Sequence, residues 1–221
     1  MLLVLCALSP CFGQQTNDSL QIKIHFKFKA EQLHPNKKYI SQNNDTLHFT
    51  KIKMYLSDFH FNKAQAQTNT HLINFDDPET LTFKIAKPKN DPKTINFNVG
   101  VDSLKSLSGA LAGDLDPTNG MYWAWQSGYI NLKIEGTSSS CKTRKNEFQF
   151  HIGGYKQPNY ALRPIEIPIK PAQKNSNSLD ININLALLFD NINLQTTNSI
   201  MMPGAAAQKI ADLSTQIFTI E

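Results

Sequence analysis

This chain predicts an antiparallel β-sandwich, Greek-key-like, with one or two short helices. Three observations carry that expectation. Apolar and polar residues alternate in one short segment after another, the period of a strand with one buried face. Asn, Gly, Pro and Lys separate the segments, and the 21 asparagines lie mostly between apolar runs, where they suit turns. Helical periodicity is confined to two stretches. With 221 residues there is enough chain for one all-β domain, assigned to residues 15–221 behind a leader at residues 1–14.

The leader comes first. Residues 1–15 read MLLVLCALSPCFGQQ, an apolar run ending in small and polar residues. It is too short to span a bilayer and matches the apolar region and cleavage site of a secretory signal. The expected destination is the periplasm or the medium, with no membrane span. Lipid anchoring through Cys11 is the lesser alternative, because Pro10 directly precedes it. Cleavage near Gln14 removes Cys6 and Cys11 and leaves Cys141 alone. That cysteine follows Ser138-Ser-Ser140 and precedes Lys142-Thr-Arg-Lys145, which reads as an exposed loop.

The strands follow in order. Ile22, Ile24, Phe26 and Phe28 alternate with Lys23, His25 and Lys27, which puts His25 on the polar face. Ile52, Met54 and Leu56 repeat the pattern. The phase then slips at Ser57-Asp58 to Phe59 and Phe61, as a bulge requires. Further alternations cover residues 81–85, 95–99, 130–134, 148–150, 165–169 and 181–185. One helix is expected over residues 102–112, with Leu104, Leu107 and Leu111 on its apolar face. A second follows Pro203, with Ile210 and Leu213 facing inward.

Composition narrows the function. A net charge of +4 without a Lys/Arg block argues against nucleic-acid binding. Nucleophile-elbow, phosphate-loop, dinucleotide and His-Glu-x-x-His motifs are all missing, so no enzyme is expected. The acidic turn at residues 113–120, with Asp114 and Asp116, lacks the late glutamate of an EF-hand loop and reads as a plain turn.

The densest signal is residues 120–136, GMYWAWQSGYINLKIEG. In a strand, Met121, Trp123 and Trp125 share one face. His151 follows Phe148-Gln-Phe150 and precedes Gly153-Gly154, and glycines beside a strand residue permit close approach of backbone or ligand. These residues fit either a stapled core or a soft-metal site. Imidazole and thioether ligands favour copper over hard cations, with Met121, Met201 and Met202 available as sulfur donors.

Several of these stretches together resemble the MbnP-like (methanobactin-partner) family. They are Met54-Tyr-Leu-Ser-Asp58, Gly100-Val-Asp102, Asp114-Leu-Asp-Pro117, residues 120–136, Phe150-His-Ile-Gly153 and Ile200-Met-Met-Pro-Gly204. The resemblance implies an exported, β-rich copper-binding protein. In some relatives a dihaem peroxidase-like partner oxidises a tryptophan to kynurenine. Carried onto this chain, His151 is the copper ligand, Trp123 or Trp125 the oxidised residue, and Tyr129 lines the site. His25 is the second imidazole and Met121 a sulfur donor. One departure stands out: relatives often carry Phe-x-His on the first strand, whereas this chain has Phe26-Lys27-Phe28, with His25 one place before Phe26. A one-residue offset turns a side chain to the opposite face.

Overall fold

The computed structural model describes residues 19–88, 90–124, 127–174 and 176–221, so the leader, with Cys6 and Cys11, and Trp125 lie outside the described residues. In chain order the strands are β1 (Ser19–Phe28), β2 (Glu31–Gln32), β3 (Lys38–Ile40), β4 (Thr46–Phe61), β5 (Thr70–Asn74), β6 (Thr82–Ala86) and β7 (Thr94–Val99). Helix α1 (Ser103–Leu107) precedes β8 (Tyr122–Ala124), β9 (Gly128–Ser138), β10 (Glu147–Gly153), β11 (Arg163–Pro168) and β12 (Ser178–Asn184). Helix α2 (Leu185–Phe189), β13 (Ser199–Ile200), α3 (Ala205–Ser214) and β14 (Phe218–Ile220) complete the chain.

Two sheets face each other across a shared core. The smaller has the order β14-β12-β1-β2, with β6 also on β1; the larger runs β11-β7-β4-β9-β10-β13, with β3 and β5 also on β4 and β8 on β9. Alternation dictates what lies between them. Leu20, Ile22, Ile24, Phe26 and Phe28 of β1 are buried, as are Phe49, Ile52, Met54 and Leu56 of β4. Phe49 meets Phe148 and Phe189 edge-on, with centroids 6.0 and 5.1 Å apart. Each such pair adds about 0.5–1.5 kcal/mol beyond the burial of its rings. The expected slip in β4 is present: its register with β7 shifts between Ser57 and His60, and Asp58 has φ +57°.

Four details depart from the sequence expectation. The sheets are mixed, because β1/β12 and β10/β13 pair in parallel. Alternation is identical in parallel and antiparallel strands, and these partners lie far enough apart in the chain for the crossover that parallel pairing needs. Second, the strand expected to reach Leu185 stops at Asn184, whose side chain caps α2 by accepting from the Ala186 N–H.

Third, the helix expected over residues 102–112 ends at Leu107. Asp102 caps it as anticipated, but Gly109 turns the chain away at φ +81°, which leaves Leu104 and Leu107 exposed and Ser106 buried. Fourth, Cys141 lies in the loop between β9 and β10 but is buried, not exposed. The serine-rich turn folds it into the main core, where burial pushes its thiol up to about 11, so it is inert at neutral pH. Among the described residues, no helix is long and apolar enough to cross a membrane.

Candidate functional site

Residues 100–121 leave the larger sheet, fold back over its outer face and rejoin it at β8, which pairs antiparallel with β9. Their path starts at Gly100, with φ +123°, where a Cβ would stand 2.5 Å from the Asn131 side chain. Ser57 Oγ donates to the Gly100 carbonyl at 2.8 Å, and Asn131 Oδ1 accepts from the Val101 N–H at 3.1 Å. The Tyr55 hydroxyl donates to the Asp114 carbonyl and the Tyr129 hydroxyl to that of Leu115, each at 2.9 Å. Asp114 and Asp116 spend their carboxylates on the backbone N–H groups of Leu72 and Thr118. They organise turns, as expected.

This flap encloses a second, smaller core. Tyr55, Leu72, Val101, Leu115, Met121, Tyr129 and Ile130 are buried in it, with Leu111, Tyr122 and Trp123 partly buried at its edge. Tyr129 packs edge-on against both Tyr55 and Tyr122. Two lysines pin the entry to β8: Lys53 donates to the Asn119 carbonyl and Lys133 to that of Gly120, each at 2.9 Å.

His151 lies on this same outer face of the larger sheet. Phe148, Phe150 and Ile152 of β10 point into the main core, so His151 points away from it, opposite Lys133 of β9. Its Nε2–H donates to Glu135 Oε1 at 2.7 Å, with the His151 side chain only 8% exposed. The ammoniums of Lys133 and Lys51 lie 3.7 and 3.9 Å from the same carboxylate.

Burial pushes the His151 imidazole below its ordinary pKa, against the raising influence of Glu135. Burial also works against the charged Glu135, yet the His151 hydrogen bond and the two lysines hold its carboxyl below the usual range. The pair is therefore a neutral imidazole beside a carboxylate at neutral pH. With Nε2 protonated, the lone pair is on Nδ1.

Trp123 comes to this strand. Its Cζ3 stands 2.8 Å from where a Cβ on Gly153 would be, and the Tyr129 carbonyl 2.6 Å from the same point. Gly153 is thus a position of close approach, and what approaches is the indole. Strands β9 and β10 form the hairpin that joins the Trp segment to His151.

The other sequence candidates fall elsewhere. Met121 is fully buried in the second core. His25 lies on the outer face of the smaller sheet, bonded to Asp180 at 2.7 Å, so the main core separates it from His151. The structure does not bring the two imidazoles together, because His25 shares a sheet face with Lys23 and Lys27, the face turned from the core. Glu135 was not anticipated as the partner of His151. The outward alternation of Lys133 and Glu135 in β9 was its available signal.

Comparison with known proteins agrees with this fold. The model of the family described as MbnP matches residues 17–202. Among solved structures, MbnP from Methylosinus trichosporium superimposes with a TM-score of 0.60 at 13% identity, over 85% of this chain and 81% of that one. At that identity the likeness speaks for the fold alone. No curated protein matches the chain.

Proposed function

The chain belongs to the MbnP family, and from that premise we propose an exported copper-binding protein that takes the ion at His151 and has no catalytic turnover of its own. The family supplies the ion; this chain supplies the site. The observation that carries the reading is the buried pair of His151 and Glu135. A carboxylate bonded to one imidazole nitrogen fixes the ring's orientation and tautomer and leaves the other nitrogen as a donor, the arrangement found behind most metal-ligating histidines.

Copper fits these donors within limits. Among the described residues, no three His, Cys, Asp or Glu side chains come together, so the His151 imidazole is the donor on which this reading stands. A neutral imidazole suits copper, and Cu(I) also accepts sulfur donors. Bound copper is cargo in this reading, with His151 as its nitrogen donor and Glu135 as the group that positions it. The leader at residues 1–14 carries the chain out of the cytoplasm. A dihaem peroxidase-like partner oxidises Trp123 or Trp125 to kynurenine.

A second reading has one observation in its favour. Met121 and Trp123 close the second core, so the Trp motif has a packing role with or without metal. Protein purified from the envelope of its own cells separates the two. The copper reading expects bound copper and an intact mass fitting one kynurenine. Metal-free protein of unmodified mass would leave the structural reading standing.

A further inference from the structure

Of the 21 asparagines, only Asn119 is followed by glycine. An Asn-Gly pair carries its own chemistry. The glycine backbone nitrogen attacks the asparagine Cγ, its proton leaves with the side-chain nitrogen as ammonia, and a cyclic imide forms. Water then opens the ring at either carbonyl, giving aspartate or isoaspartate. Glycine makes this attack easiest, having no Cβ in the way and the greatest backbone freedom.

In the folded chain the pair is tied at each reacting point. Asn119 ends the 3-10 turn Pro117–Asn119, and Gly120 follows at φ +70°. The Gly120 N–H, source of the nucleophile, donates to the Pro117 carbonyl at 2.9 Å, and the Asn119 N–H to the Asp116 carbonyl at 3.0 Å. Asn119 Nδ2, the leaving nitrogen, donates to the carbonyls of Gly113 and Asp114 at 3.1 and 3.0 Å. Both carbonyls of the pair accept from lysines, Asn119 from Lys53 and Gly120 from Lys133. Attack requires the Asn119 side chain and the Gly120 nitrogen to turn toward each other, which breaks these bonds. Burial does not protect the pair: Gly120 is exposed, and a Cβ on it would meet nothing within 4 Å.

The same bonds attach the flap. Asn119 holds the Asp114 carbonyl that also accepts from Tyr55, and Lys53 and Lys133 reach it from β4 and β9. A carboxylate at this position is an acceptor only, so it would face two carbonyl oxygens with no proton to offer. Isoaspartate would also lengthen the main chain between the two lysine-held carbonyls. We propose that Asn119-Gly120 is a self-modification site, guarded while the flap is closed, converted when it opens, and thereafter holding the flap loose. The reaction takes only water from outside the chain, so it marks molecules whose flap has opened, with or without copper.

The test incubates the full chain at mildly alkaline pH, in buffer and in guanidinium chloride, and maps conversion by mass spectrometry with isoaspartate-specific methylation. In denaturant Asn119 should convert before any other asparagine. In buffer it should convert at least about tenfold more slowly, because the folded chain must open first. Lys53→Met keeps the apolar stem and frees the Asn119 carbonyl. Its rate in buffer should rise about tenfold, the scale of one hydrogen bond to a charged group, with the denatured rate unchanged. Converted parent, separated by its added negative charge, should exchange amide hydrogens faster across residues 113–121. Equal rates in buffer and denaturant, an unchanged rate in Lys53→Met, or earlier conversion of another asparagine would overturn the guarded site. Unchanged exchange after conversion would overturn its effect on the flap.

Discussion

Two histidines in this molecule make the same bond in different surroundings. His25 and His151 each reach a carboxylate oxygen at 2.7 Å, one on the outer face of each sheet. The His25–Asp180 side chains are 37% and 39% exposed, those of His151–Glu135 only 8% and 22%. The flap covers the outer face of the larger sheet, whereas the outward-facing residues of β1 are half-buried. A hydrogen bond in water exchanges with solvent, whereas a buried polar pair is costly to break. Geometry is shared; burial differs, and it holds the His151 ring in one orientation.

The largest effect expected from breaking this difference is at the cover. Gly153→Ala places a methyl against the Tyr129 carbonyl and the Trp123 ring. Overpacking of this kind costs about 1–3 kcal/mol, and urea unfolding should register a loss at the upper end together with a changed Trp emission spectrum. Retained stability and emission would mean that the indole does not depend on Gly153.

Removing the two carboxylates comes next. Glu135→Ala leaves His151 and Lys133 without their partner in a half-closed site and should cost about 1–2 kcal/mol. Asp180→Ala, in the exposed pair, should cost no more than about 0.5 kcal/mol. Equal losses in urea unfolding would abolish the distinction drawn between the faces.

The smallest effect is in pH dependence. The folded pKa of His151 is lowered, so below the ordinary histidine range the unfolded chain takes up a proton that the folded chain resists. Stability should decline as pH falls through that range toward the folded value, and His151→Gln should flatten the decline. An unchanged slope in the variant would place the lost stability elsewhere.

Much of the fold was legible because burial follows alternation. The break at Ser57-Asp58 announced a bulge, and Gly153-Gly154 announced a close approach. What escaped depends on partners far along the chain. Two-residue β13 has no period to detect, so its parallel pairing with β10 emerges only in the structure. Cys141 sits among serines and lysines that look like loop, yet the turn tucks its thiol inside. Leu104 and Leu107 have helical spacing but belong to a helix too short to bury them. His25 was assigned to its polar face correctly. Which sheet that face belonged to was beyond the sequence pattern.

The most direct measurement is a Cu(I) titration of the parent, His151→Ala and His25→Ala under one competing chelator. The parent and His25→Ala should bind one equivalent with matching affinity, and His151→Ala should fall by well over about tenfold, more than loss of a supporting partner costs. Matching affinity in all three proteins, or a loss confined to His25→Ala, would contradict the assignment of the site to His151.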